Sequence, residues 1–407
     1  MINAAHWDAS RRFGLFLHWG VYALSEFHEQ YQFVMQIPRE EYEQFPKRFN
    51  PTRFDAREIV SLAKSVGMRY LCVTSKHHDG FCMWDTDETD YKVTNTPFGR
   101  DVVGELAAAC AEQDMAFCLY YSIPDWHHPN AYNPKSSHQI APRPTDEPDM
   151  SRYIAYIKRQ ITELLTRYGK ISALFWDIPP QIHDPSVNEL VRKLQPEILI
   201  NDRGFSEGDY STPERTVPDG KSFDRPAEAC QSVGRMSWGY RRDEDYFADR
   251  YLTGELDKIL AMGGNYLLNV GPMPDGSIPP QARGVLTRVG DWYQRVAEAF
   301  EGAVPFHAPL GRDENPVTRR GDTLYIHFPA IPICGGLVLN PLTKLPKECI
   351  LLNDGRRIET ALDRFPTWVD YSRTTREYLH VKNIPVNEFA HEPIVLKLVF
   401  DSLDGLE

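Results

Sequence analysis

Short apolar runs that end on a polar residue alternate along this chain with longer stretches that are apolar at every third or fourth position. The runs read as buried parallel strands and the stretches as amphipathic helices. Strands are predicted at Phe13–His18, Tyr70–Thr74, Ala116–Tyr121, Ser172–Asp177, Ile198–Asp202 and Tyr266–Asn269. Helical spacing covers Asp55–Val66, Val102–Asp114, Met150–Tyr168, Val187–Leu194, Tyr246–Met262 and Pro280–Ala299. Gly67, Gly169 and Gly263 stop three of these helices. The βα rhythm implies a parallel sheet, and polar residues at the strand ends favour closure into a (β/α)8-like TIM barrel. The clear runs fall short of eight, so one strand is expected to be irregular or missing.

The pattern changes near Pro305. From Asp322 onward it becomes short alternating strands separated by turn signals such as Asn353-Asp-Gly355. That is the pattern of an antiparallel β-sandwich. We therefore expect a catalytic barrel over residues 1–305 and a C-terminal sandwich over 306–407. The stretch Asn133–Asp149, with prolines at 134, 142, 144 and 148, reads as a long loop at the barrel mouth, a place where lids occur.

Composition narrows the function classes. A chain of 407 residues is long enough for a large domain and a smaller one. A net charge of −12 argues against a nucleic-acid partner, which needs a basic face. No apolar run is long enough to span a bilayer, so no membrane partner is expected. The start, Met1-Ile-Asn-Ala-Ala-His6, has neither the basic start nor the apolar core of a signal peptide. Seven cysteines, an odd number without a Cys-x-x-Cys pair, read as buried free thiols in a reducing compartment. A cytoplasmic location is the expectation, and a homo-oligomer is compatible with it.

The candidate chemistry sits at the predicted strand ends. Asp177 closes the run Ser172-Ala-Leu-Phe-Trp-Asp177, where barrels keep their catalytic groups, and could attack an anomeric carbon. A helix N-cap is the plainer role for it. His77 and His78, in His77-His-Asp-Gly80, and His18 could bind vicinal hydroxyls. A metal site is the alternative, but no zinc-type spacing is present. Arg203 ends the next strand and would keep a nearby carboxylate ionised. Glu214 and Glu228 both qualify as a second carboxylate acting as general acid and base.

Taken in order, these segments resemble the α-L-fucosidase family of glycoside hydrolases. The resemblance runs through Arg12–Gly20, Lys76–Phe81 with Trp84, Tyr120–Trp126, Leu174–Asp177, Ile200–Arg203, Thr212–Glu214, Ser237–Tyr240 and Gly263–Pro272, covering most of residues 6 to 300. It implies a barrel-like domain with a C-terminal β-sandwich, no cofactor and no metal. It also implies retaining, exo-acting hydrolysis of terminal α-L-fucose from an oligosaccharide or other glycoside. By this resemblance Asp177 is the nucleophile and Glu214 the acid/base, with Glu228 as runner-up. His18, Glu29, His77, His78, Tyr121, Trp176 and Arg203 are implied as substrate-binding groups. Phe16, Phe27 and Trp238 are implied as the apolar wall for the C5 methyl. The chain departs from the family pattern at Phe175, Ile178 and Gln30, where tryptophan, glycine and tryptophan are usual. One alternative is a fucose-binding protein on the same fold that no longer turns over. Another is a metal-dependent barrel hydrolase.

Overall fold

The computed structural model describes residues 12–216, 219–220, 222–307, 315–339, 342–364 and 377–404. The N-terminal stretch behind the signal-peptide reading lies outside them. Seven strands form the first sheet: β1 (Phe13–Leu17), β2 (Tyr70–Lys76), β3 (Ala116–Ser122), β4 (Ala173–Asp177), β5 (Leu199–Ile200), β6 (Glu228–Ser232) and β7 (Asn265–Val270). Their order is β5-β4-β3-β2-β1-β7-β6, with β1 to β5 paired in parallel. Helices α1 (Ala56–Ser65), α2 (Val102–Glu112), α3 (Met150–Arg167), α4 (Pro185–Leu194), α5 (Asp249–Ala261) and α6 (Pro280–Val296) alternate with the strands along the chain, except between β5 and β6. An aspartate side chain caps the start of each of the first four: Asp55, Asp101, Asp149 and Asp184 accept from backbone N–H groups of the opening turn.

The seven regular strands do not close a ring. Residues 209–215 span the gap between β5 and β6 with irregular bonds. On one side Asp209 N donates to Ile200 O at 2.6 Å and Asp202 N to Tyr210 O at 3.0 Å. On the other, Glu228 N donates to Ser211 O at 2.9 Å and Cys230 N to Pro213 O at 2.9 Å. Pro213 has no N–H to give, so regular pairing fails there. Gly208 is needed at the entry, since a Cβ would meet Asn201 O at 2.1 Å. This segment occupies the place of the strand expected to be irregular. Sequence patterning missed β6, because Glu228-Ala-Cys-Gln-Ser232 is wholly buried yet has no apolar run.

Side-chain alternation sorts every strand into two faces. Phe16, Tyr70, Cys72, Cys118, Tyr120, Phe175, Cys230 and Leu267 pack together on the inner face, with Trp238 against them. The register sets Tyr120 opposite Phe175 and Ser122 opposite Asp177.

A second compact unit gathers the described residues of Thr216–Asp224, Ala248–Tyr266 and Thr287–Glu407. It holds two antiparallel sheets, of five strands and three strands. Their inner faces share one core that includes Leu324, Ile326, Leu379, Val381, Leu396 and Leu398. Among the described residues no helix is long and apolar enough to cross a membrane.

Candidate active site

A cavity of about 150 Å³ opens at the carboxyl ends of the strands. Its lining includes Phe16, His18, Glu29, His77, His78, Tyr120, Phe175, Asp177, Arg203, Glu214 and Trp238. The fold therefore gathers groups from eight separated segments of sequence.

Asp177 ends β4 and points inward, two residues on from Phe175. Its Oδ2 accepts from Tyr120 Oη at 2.7 Å and its Oδ1 from Arg203 Nη1 at 3.0 Å. Burial alone would push this carboxyl up. The nearby His78, the Arg203 charge and the two hydrogen bonds outweigh burial and hold it below its ordinary value. His78 is itself pushed down to about 4, by burial first, and is neutral near pH 7. Near neutrality the work therefore falls to Arg203 and Tyr120. The Tyr120 phenol is pushed well above its usual value, by burial and then by the Asp177 charge, so it stays protonated and donates.

Arg203 is held by Thr212, which accepts from Nε at 2.7 Å through its hydroxyl and from Nη2 at 2.8 Å through its carbonyl. That leaves Nη1 to bridge Asp177 and Glu214 Oε2, the latter at 2.8 Å. Two oxygens at 3.0 and 2.8 Å from one nitrogen lie at most 5.8 Å apart, the sum of those distances.

The imidazoles are neutral and oriented. His18 is pushed down to about 4 by burial, which outweighs the raising effects of Glu29 and Asn269. Asn269 Nδ2 donates to Trp238 O at 2.7 Å and Ser232 Oγ at 3.0 Å, so its Oδ1 faces His18 Nδ1 at 2.7 Å. This assigns the proton to Nδ1 and leaves Nε2 as an acceptor. Ser122 Oγ donates to Pro124 O at 2.7 Å and so accepts from His78 Nδ1 at 2.7 Å. His78 Nε2 is thereby also left as an acceptor. His77 lies flat on Tyr120, and its buried Nδ1 has no partner among the described residues. Gly80 lets the chain turn tightly after β2, at φ 77°, where a Cβ would meet Asp125 Oδ1 at 2.2 Å. That turn delivers both histidines to the cavity.

Glu29 is 2% exposed. Its Oε2 accepts from Ser237 Oγ, Trp238 N and Gly239 N at 2.7, 2.9 and 3.1 Å. Burial raises its carboxyl, but His28, Ser237 and His18 together hold it below its ordinary value and therefore ionised. Among the described residues no group of three His, Cys, Asp or Glu side chains is placed to hold a metal ion.

Four expected site residues lie elsewhere. Tyr121 is on the outer face of β3. Its hydroxyl donates to Gln160 Oε1 at 2.7 Å and its ring covers the Lys76 ammonium at 4.5 Å, so Tyr120 takes the place expected for it. Trp176 also faces outward and donates from Nε1 to Asn188 Oδ1 at 3.1 Å, leaving Phe175 in the cavity. Both corrections follow from the two-residue period of a strand. Phe27 is half-buried under the Arg241 guanidinium, 4.7 Å away, and does not line the cavity. Glu228 is buried beside Tyr70, near the start of β2, two residues before Cys230 on its strand, and does not line the cavity either. The sequence reading missed Tyr120, Cys230 and His138 as lining residues, and Asn269 as the support of His18. Phe175, Ile178 and Gln30, the three departures from the family pattern, all line the cavity.

The family model described as α-L-fucosidase matches residues 2–298. Human tissue α-L-fucosidase is 28% identical over 386 residues, covering 85% of this chain and 80% of that one. The structure of α-L-fucosidase isoenzyme 1 from Paenibacillus thiaminolyticus superposes with a TM-score of 0.85 at 31% identity, covering 98% of this chain and 99% of that one. An α-L-fucosidase of glycoside hydrolase family 29 from Bacteroides thetaiotaomicron is also similar. It was solved as a covalent intermediate, trapped with 2-fluoro-fucosyl fluoride in a glutamate-to-glutamine mutant. Its TM-score is 0.78 at 26% identity, covering 96% of this chain and 94% of that one. The chain belongs to the α-L-fucosidase family of glycoside hydrolases.

Proposed function

We propose that this protein removes terminal α-L-fucose with retention of configuration, with Asp177 as nucleophile and Glu214 as acid/base. The observation that carries this reading is the shared Arg203 nitrogen. It keeps the two carboxylates within 5.8 Å, which fits the separation of about 5–5.5 Å that a double displacement uses. In the first step an Asp177 oxygen bonds to the anomeric carbon as the glycosidic bond breaks, and Glu214 gives its proton to the leaving oxygen. In the second, Glu214 takes a proton from water, whose oxygen displaces Asp177 and frees the sugar.

Exposure orients the substrate. His18, Glu29 and His77 are 5%, 2% and 4% exposed. The side chains of Asp177, Arg203 and Glu214 rise from 13% to 18% to 40%. Hydroxyl-binding groups therefore lie deep and the reacting groups lie near the mouth. A sugar enters with its anomeric carbon outermost, which is exo-action. The volume suits one sugar unit, being small beside the roughly 300–1,000 Å³ of drug-sized sites. Phe16, Phe175 and Trp238 offer the C5 methyl an apolar wall, for about 1–3 kcal/mol of discrimination. The seven free cysteines support a reducing, cytoplasmic setting.

The test is an aryl α-L-fucoside series assayed on three proteins. Asp177→Ala should be folded and inactive. Glu214→Gln should lose far more rate on poor leaving groups than on activated ones. Wild-type turnover in the first, or an even loss across the series in the second, rejects the assignment.

A further inference from the structure

Strand β2 carries one residue too many just before the paired histidines. Thr74 lies opposite Tyr120 of β3, yet Lys76 lies opposite Tyr121, so Ser75 is the extra residue of a β-bulge. Ser75 Oγ donates to Tyr120 O at 2.7 Å. Tyr70 and Cys72 belong to the inner core, and unbroken alternation would put Lys76 on that face too, with His77 outside. The bulge reverses this. Lys76 turns outward against the Tyr121 ring, and His77 lines the cavity.

Lys76 is fully buried and does not line the cavity. Its ammonium instead holds residues 122–126 at two points. Nζ donates to Asp125 Oδ2 at 2.9 Å and to Tyr153 Oη at 3.0 Å, and Tyr153 Oη in turn donates to Ile123 O at 2.7 Å. The rings of Tyr121, Tyr153 and Tyr156 surround the ammonium at 4.5, 5.4 and 5.8 Å. Burial pushes the Asp125 carboxyl up, but the Lys76 charge, followed by His128, outweighs it and holds the carboxyl well below its ordinary value. Residues 122–126 are the segment that meets His78. Ser122 Oγ accepts from its ring at 2.7 Å, and Trp126 N donates to its carbonyl at 2.8 Å. A buried ion pair contributes little stability beyond that of an apolar pair of the same volume. It is directional, however, and so fixes the backbone at both of its ends.

We propose that Lys76 is a positioning residue for sugar binding: through Asp125 and Tyr153 it locks the bulge of β2 to residues 122–126, and so sets where His77 and His78 meet the sugar hydroxyls. This rests on the cavity being the fucose site.

The test compares wild type with Lys76→Met/Asp125→Asn and with Tyr153→Phe. The double variant leaves no buried charge unpaired, and its new amide oxygen can still accept from the His127 and His128 N–H groups, as Asp125 Oδ1 does at 3.0 and 2.8 Å. Its thermal midpoint should therefore stay near that of wild type. KM for an activated aryl α-L-fucoside and the inhibition constant of free L-fucose should both rise about tenfold, while kcat stays within about threefold, because Asp177 and Glu214 are held separately by Arg203. Tyr153→Phe cuts only the second tie, and both constants should rise about threefold. Unmoved constants in the folded double variant overturn the inference, as does a fall in kcat alone. If the double variant does not fold, Tyr153→Phe decides, and unmoved constants there overturn the inference too. A wild type that neither turns over the fucoside nor binds L-fucose rejects the reading of the site itself, which separates the two failures.

Discussion

Arg203→Met keeps an unbranched apolar stem and removes the guanidinium. Four hydrogen bonds go with it: two to Thr212, one to Asp177 and one to Glu214. The bond to Glu214 is at an exposed carboxylate and contributes little. The bond to Asp177 is charge-assisted at a carboxylate 13% exposed, and such a bond contributes about 1.5–3 kcal/mol. If the transition state feels all of it, kcat/KM falls by about 10–150-fold, at roughly 1.36 kcal/mol per factor of ten. The pH profile carries the sharper signature. Arg203 helps hold the Asp177 carboxyl below its ordinary value against burial. Without it the carboxyl protonates at higher pH, and attack needs the ionised form. The acid limb of kcat/KM should therefore move to higher pH. Arg203→Lys keeps a charge but lacks the fork that Thr212 grips, so its limb should move less. Activity on an activated aryl α-L-fucoside, read across the acid limb, decides the matter. An Arg203→Met enzyme with a wild-type acid limb, or a loss under about threefold, would refute the argument.

Three further outcomes are expected. Tyr120→Phe should lower kcat/KM by about tenfold or more, since its hydroxyl bonds Asp177, while Tyr121→Phe should leave KM unchanged; the reverse pattern would mean that the faces of β3 are misassigned. Asn269→Leu strands the His18 Nδ1–H in an apolar setting, so KM should rise; an unchanged KM would remove His18 from the binding set. Burial pushes the Glu228 carboxyl up from 4.5 to about 7, with Tyr70 offsetting only part of this. The folded chain thus keeps a proton that the unfolded chain has released. This stabilising contribution is fully present below 4.5 and is lost as the pH rises through about 7. The thermal midpoint should fall across that window, and Glu228→Gln should flatten the fall; an identical slope in both proteins would refute it.

The alternation of apolar runs with helical spacing was enough to place most barrel strands and all six long helices within a few residues. That pattern is a record of burial: a strand covered on both faces must be apolar throughout. Past Asp322 the short alternating pattern pointed to the sandwich, where Thr323–Phe328 is a strand. The pattern failed where burial is satisfied by polar pairing instead. Leu199–Ile200 is shorter than the run that predicted it, and the 209–215 segment bonds to two neighbours without a regular ladder. Strand β6 is buried with a glutamate, a glutamine and a serine in it.

Sequence alone determined that Asp177, the paired histidines and Arg203 end up near one another, because each follows an apolar run and a parallel sheet brings such ends together. It also carried the family, since the ordered segments survive in linear form. Tertiary structure decided which of Tyr120 and Tyr121 faces the cavity, which of Phe175 and Trp176 lines it, and which of Glu214 and Glu228 shares the Arg203 guanidinium with Asp177. Adjacent residues of a strand differ only in the face they occupy. That face is set by register against neighbours more than fifty positions away, as with Tyr120 and Asp177. No local pattern encodes it.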